Sequence, residues 1–247
     1  MTRIRIIVFL LCCIFYACSE NESTIPQDTS LASLVSANTT KIDNVIACAS
    51  SSGIDESTII AYVYPRPGAT DISYYETSGI NLDKNEYQNY KRIAIPPSDF
   101  FNGYLKKFER TTDSEKWVII TFFEDGVLHL SNPIRLKHRT KPTTFTSDVS
   151  IDMTTAMMPV FGWTDGVDDD TVIYFQVISD MSNELLSGTY TTQQQFQYYK
   201  LDNVVLNITR ETPPQLNITD TYNFTLMGVS EDNWVNLFIE RSFMLTP

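Results

Sequence analysis

The chain has 247 residues, with 43% hydrophobic and 12% aromatic side chains. That is too long for one ordinary sandwich, enough for two domains of about 100 residues plus a connecting segment, and too apolar for global disorder. A formal charge of −12 repels phosphate backbones, so nucleic-acid binding is excluded as a working hypothesis, and so is adhesion to anionic lipid heads by charge alone.

The N-terminus reads as a leader. Arg3 and Arg5 precede an apolar run from Ile6 to Tyr16, and Ala17 stands directly before Cys18. About eleven apolar residues are too few to cross a hydrocarbon core that needs roughly 20. Small residue then cysteine resembles a bacterial lipobox, which implies that residues 1–17 are removed and Cys18 is acylated. The following Ser19-Glu20-Asn21-Glu22 resembles the acidic signal that sends Bacteroidota lipoproteins to the cell surface. The expected location is therefore the outer membrane, facing outward, with the membrane contacted through the N-terminal lipid. Without Arg3 and Arg5 the mature chain would hold 16 basic against 30 acidic residues, a charge of −14. Cys12 and Cys13 leave with the leader, so Cys48 is the one thiol of the folded part; its apolar run Val45–Ala49 predicts a buried, inert side chain.

Residues 18–41 are rich in Ser, Thr, Asn and Gln and read as a flexible tether. A helical turn over Ser30–Val35 is compatible with the composition but not required by it. If extended throughout, such a tether reaches on the order of 65 Å.

From 42 to 138 the pattern is a first β domain. Strands are predicted at Asn44–Ala49, Thr58–Tyr64, Tyr74–Glu76, Tyr90–Ile95 and Gly103–Arg110, with breakers at Pro65-Arg66-Pro67-Gly68 and Pro96-Pro97. Trp117–Phe123 and Val127–Leu130 flank Glu124-Asp125-Gly126, and Asp-Gly between two such runs is the strongest local hairpin signal. Pro133 leaves Ile134–Leu136 as an edge or terminal strand. Residues 139–147 read as a linker.

From 148 to 247 a second β domain follows. Its predicted strands are Val149–Met153, Met158–Trp163, Thr171–Ile178, Glu184–Thr191, Phe196–Tyr199 and Val204–Ile208, closed by a hairpin of Tyr222–Val229 and Trp234–Met244. Tyr222, Phe224 and Leu226 share one face by period-2 alternation. The fold class expected is all-β, two tandem antiparallel β-sandwiches. Pro159-x-Phe161-x-Trp163 and Tyr222-x-Phe224-x-Leu226 resemble a fibronectin type III domain, and the first half resembles an immunoglobulin-like module by pattern. The whole is similar to uncharacterised tandem-sandwich surface lipoproteins of Bacteroidota. Such a fold carries no function by itself.

Catalytic constellations are sparse. The two histidines and one mature cysteine make no His/Cys zinc grouping, and there is no Gly-x-Ser-x-Gly elbow or phosphate-binding glycine loop. No catalytic residue, metal or cofactor is expected. The Asp165–Asp170 loop is the densest acidic cluster; it suits either Ca²⁺ or plain solvation and lacks EF-hand spacing. The adjacent aromatics Tyr74-Tyr75, Phe100-Phe101 and Tyr198-Tyr199 face opposite ways on a strand, so one of each pair lies outside its own core. They either fill a second face or an interface, or contact a ligand. Trp234, beside an acidic turn at a sandwich end, is the candidate ligand contact. The expected function is a non-enzymatic surface-exposed binding or scaffolding module, accessory to glycan or nutrient capture beside an outer-membrane protein. The alternatives are an adhesion component with a protein partner and a hydrolase using an unrecognised carboxylate pair.

Overall fold

The structure, a computed structural model, describes residues 29–42, 47–155, 157–166, 170–199, 206–207 and 212–245. The segment expected to be a leader, and Cys18, therefore lie outside the described residues. The first half holds α1 (Leu31–Ala37), β1 (Thr40–Ile42), β2 (Ala47–Ser51), β3 (Thr58–Val63), β4 (Thr70–Glu76), β5 (Lys91–Ile93), β6 (Ser98–Phe100), β7 (Leu105–Thr111), β8 (Trp117–Glu124), β9 (Val127–Leu130) and β10 (Ile134–Arg135). The second holds β11 (Thr144–Thr146), β12 (Ser150–Asp152), β13 (Val160–Gly162), β14 (Thr171–Asp180), β15 (Leu185–Thr191), β16 (Gln195–Gln197), β17 (Leu206–Asn207), β18 (Thr221–Ser230) and β19 (Val235–Met244).

These strands make an all-β fold of four sheets in two sandwich-like halves. Sheet I runs β1-β9-β8-β4-β5, with β10 also on β8; sheet II is β2-β3-β7-β6. Sheet III runs β11-β19-β18-β14-β15-β17, and sheet IV is β12-β13-β16. Each half opens with a short strand in parallel pairing, β1 on β9, the last but one strand of the first half, and β11 on β19, the last strand of the second. The next strand pairs antiparallel in the opposite sheet, β2 with β3 and β12 with β13. The Asp-Gly hairpin forms as expected: Asp125 and Gly126 take φ of 51° and 77°, the left-handed pair that a two-residue turn needs.

Period-2 alternation explains how the sheets stack. In β8, Val118, Ile120 and Phe122 face sheet II, where Ile59, Ala61, Val63 and Phe108 meet them. Ile119 faces the other way, with Tyr75, Leu128 and Leu130, and is covered by Leu31 and Tyr90. Between sheets III and IV lie Phe161, Tyr174, Phe196, Phe224 and Phe243, with Phe161 and Phe224 stacked at 4.3 Å. The remaining faces of sheets II and III meet each other. Cys48, Tyr62, Phe101 and Leu105 pack on Phe175, Val177, Tyr190, Met227, Val229 and Phe238. The order through the molecule is thus α1, then sheets I, II, III and IV. The central strands of sheet III, β14 and β18, are buried on both faces over most of their length.

Two expectations change here. Part of the tether is folded: Ser30 caps α1 through its Oγ, accepting from Ser33 N at 3.3 Å, and β1 joins sheet I. A helix of seven residues is marginal alone; Leu31, 0% exposed, and the half-buried Leu34 and Val35 hold it against sheet I. Nor is 139–147 a plain linker, because β11 pairs with β19 and Thr143 exchanges hydrogen bonds with Ser51 at 2.9 and 3.1 Å. Polar composition concealed both segments, since each is short and anchored by one or two side chains.

Candidate functional site

Trp234 is not a surface residue. It sits at the end of the β18–β19 turn, 0% exposed, within the core of the first half beside Ala49, Val118 and Ile134. Its indole Nε1 donates to Lys141 O at 2.8 Å, and Ala49 N donates to Asn233 O at 3.1 Å. Asn233 adopts φ 62°, with its N–H on Ser230 O, so the turn aims the indole out of sheet III and into the neighbouring half. The expectation of a ligand contact is therefore corrected: burial removes the ring from any ligand, and it plugs the partner sandwich. Arg135 N donates to Asp232 O at 2.9 Å, and Lys137 Nζ lies 2.8 Å from Asp232 Oδ1.

At another place a turn reaches the opposite way. Phe101, Asn102 and Gly103 have φ of 48°, 50° and 86°. An aromatic residue at positive φ is strained. It is held because Phe101 is buried between sheets II and III while Asn102 Nδ2 donates to Ser182 O at 3.0 Å.

The acidic loop is divided between two tasks. Asp165 Oδ2 accepts from Tyr174 OH and Gln194 Nε2, each at 2.6 Å. Asp170 Oδ1 accepts from Lys141 Nζ and Asn236 Nδ2, also at 2.6 Å each. Burial opposes ionisation of Asp170, but Lys141 and Asn236 outweigh it and hold its carboxyl below the usual range. Residues 167–169 lie outside the described residues, and among the described ones no group of three or more His, Cys, Asp or Glu converges. Cys48 is buried between sheets II and III, its Sγ 4.0 Å from Met227 Sδ; burial pushes its thiol up to about 12. A thiol so protonated is no nucleophile.

Of the paired aromatics, Tyr74-Tyr75 divides as alternation requires, whereas Phe100 and Phe101 pack on the same cluster because Phe101 lies in a turn at positive φ. Tyr74 enters the core between sheets I and II while Tyr75 lies beneath α1. Phe101 joins the interface with Phe100 against it, 4.2 Å between rings. Tyr198 is buried, its OH on Pro214 O at 2.7 Å, and Tyr199 is 43% exposed.

The surface that sequence reasoning missed is the outer face of sheet IV. Ile151, Phe161 and Phe196 point inward, so Ser150, Asp152, Val160, Gly162 and Gln195 point out. Together with rim residues Asp148, Thr164, Gln194 and Arg241 they line an open trough of about 780 Å³. Its middle is low because Gly162 has no side chain; a Cβ there would fall 2.8 Å from Ser150 Oγ, which donates to Gly162 O at 3.0 Å. Trp163, 6% exposed, lies below the end of the trough, edge-on to Tyr174 at 5.3 Å. Hydroxyls, amides and isolated charges of both signs offer many hydrogen bonds and no nucleophile–base pair. Part of the signal was present in the sequence as single apolar residues flanked by polar ones, Ser-Ile-Asp and Gln-Phe-Gln, whereas Phe161 stands between Val160 and Gly162.

No protein-family model matches the chain, and a comparison with curated proteins returns no match. Among solved structures, the chain is similar to the FN1–FN3 domains of chicken CNTN1 at 8% identity and a TM-score of 0.31, over 85% of this chain and 68% of that one. It also resembles the glycoside hydrolase domain of Spr0440, Endo-D, from Streptococcus pneumoniae R6, at 11% identity and a TM-score of 0.29, over 81% of this chain and 33% of that one. β-Glucuronidase of Ruminococcus gnavus gives 8% identity and a TM-score of 0.28, over 76% of this chain and 36% of that one. The chain spans about a third of the length of the two hydrolase chains. All three likenesses are partial.

Proposed function

We propose that this chain is a lipid-anchored, surface-exposed binding or scaffolding module, built from two sandwiches of the fibronectin type III or immunoglobulin-like kind and without catalysis of its own. The observation that carries the reading is the placement of the two ends of the stack. The chain enters at sheet I, where Thr29 O accepts from Arg92 N at 3.0 Å and Leu31 N donates to Tyr90 O at 3.1 Å. The polar trough lies on sheet IV, the layer farthest from that entry. Sheets packed about 10 Å apart put roughly 30 Å between the outer layers. An acylated Cys18 would reach Thr29 through a segment of at most about 40 Å. The lipid would thus hold one end while the trough faces outward.

The trough's hydroxyl and amide lining suits a neutral, hydroxyl-rich ligand such as a glycan chain, bound by hydrogen bonds along its length and without ring stacking. The test has two arms on the full-length protein expressed in a bacterium that processes lipoproteins. Mass spectrometry finds the mature N-terminus at Cys18 with a diacylglyceryl thioether. Affinity gels cast with a panel of polysaccharides retard the protein, and a Gln195→Ala/Arg241→Ala double variant loses at least tenfold in that retardation. Both side chains are exposed, so the fold survives the change. An unmodified Cys18 or a retained leader contradicts the anchor, and equal migration of both proteins on every gel contradicts the ligand.

A further inference from the structure

A separate surface lies at the joint of the two halves, and its shape is set by a loop too well built for a plain connection. Between β2 and β3, Ser52 Oγ accepts from Ile54 N at 3.1 Å and Asp55 N at 3.3 Å. Asp55 Oδ1 then accepts from Ser57 N, Ser57 Oγ and Thr58 N at 2.7–2.8 Å. Each bond fixes the loop's backbone, and the residue at its tip is Ile54, 91% exposed. No other large hydrophobic residue among the described ones is as exposed.

Ile54 does not stand alone. Phe145, on β11 of the second half, is 44% exposed and lies against the loop; a Cβ on Gly53 would come within 3.2 Å of its ring. Gly53, at φ 75°, is therefore the residue that lets the ring close on the backbone. Phe238 supports the ring from behind at 5.5 Å. Ile54, Phe145 and Pro142 share a groove of about 420 Å³ with His138, itself 2% exposed and fixed by Nε2 donating to Thr112 O at 3.0 Å. The groove exists only when both halves are assembled, because each contributes one of the two large apolar side chains.

The rim is acidic. Glu56 and Asp113 have side chains 90% and 95% exposed, and both lie 3.3 Å from the single guanidinium of Arg139. Asp55, Glu56 and Arg139 line the groove beside Ile54, Phe145 and Pro142, and Asp113 adds its charge by pairing with the same Arg139, so three carboxylates stand against one cation. The geometry points to a protein-docking site for a segment that carries an apolar anchor flanked by Lys or Arg. An anchor set in a rigid rim loses little entropy on binding. The surrounding carboxylates steer a basic partner and repel an acidic one.

Fluorescence anisotropy on the full chain tests this with a labelled Lys-Ser-Leu-Phe-Ser-Lys peptide, beside controls with Glu for Lys or Ser for Leu and Phe. The basic apolar peptide binds saturably, and the controls do not. Ile54→Ser, a change at an exposed tip that leaves the fold intact, weakens it at least tenfold; Glu56→Lys does the same by charge. Raising salt from about 50 mM to about 500 mM weakens it several-fold. Absence of saturable binding, or binding indifferent to Ile54→Ser, overturns the proposal. Concentration-dependent self-association abolished by Ile54→Ser also overturns it, and would give the groove to a second copy of this chain.

Discussion

Trp234→Ala lowers the stability of the whole chain by about 3–5 kcal/mol, the range for emptying a fully buried large aromatic site. It also frees Lys141 O, which accepts from the indole at 2.8 Å. The residue belongs to the second half by sequence and to the first half's core by position. The loss should therefore appear in both halves: urea unfolding followed by Trp117, in sheet I, and by Trp163, beneath sheet IV, shifts to the same lower midpoint. A Trp234→Ala protein as stable as the parent, or one in which only one signal shifts, would mean the two sandwiches do not share a core.

Glu76→Gln costs about 3 kcal/mol at neutral pH, through loss of a buried ion cluster at the end of the first half. Glu76, on β4, is 5% exposed and takes Arg110 Nη2 and Nε at 2.9 and 3.1 Å and Lys116 Nζ at 2.6 Å. Arg110 lies on β7, so the pair ties sheet I to sheet II. Burial opposes the charged carboxylate, but Arg110 and Lys116 outweigh it and hold the group below the usual glutamate range. A depressed folded pKa contributes stability that is present above the unfolded value of about 4.3 and lost as pH falls through the lower folded value. Parent and variant should therefore differ most near neutral pH and converge in acid. A gap that stays constant down to about pH 2 in urea titrations would place the loss in packing and not in charge.

Much of the fold was legible because period-2 alternation and turn chemistry are local. The Asp125-Gly126 hairpin, the shared face of Tyr222, Phe224 and Leu226 and the edge position of Ile134-Arg135 follow from neighbours along the chain. What was not legible depends on which face meets which across the stack. Met227 and Val229 alternate with Phe224 and Leu226, yet nothing local says that their face meets Tyr62 and Cys48 more than 160 residues away. Trp234 shows the same gap: an aromatic beside Glu231 and Asp232 in a turn has the composition of a binding loop, and only its reception by Ala49 and Ile134 makes it a core residue. The sheet IV trough was partly readable, because Ile151 and Phe196 stand singly between polar residues, but Phe161 sits between Val160 and Gly162, and three strands of three residues give little pattern to weigh.

The claim on which the rest depends is that sheets II and III join the two sandwiches into one body that opens as a unit. Native-state hydrogen exchange reads this directly, by comparing the most protected amides of β3 and β8 with those of β14 and β18. If the two sandwiches unfold together, those amides share one opening free energy and one dependence on urea. Amides of one sandwich that exchange through complete opening while the other stays protected would show two bodies joined by a contact, and the account would be wrong.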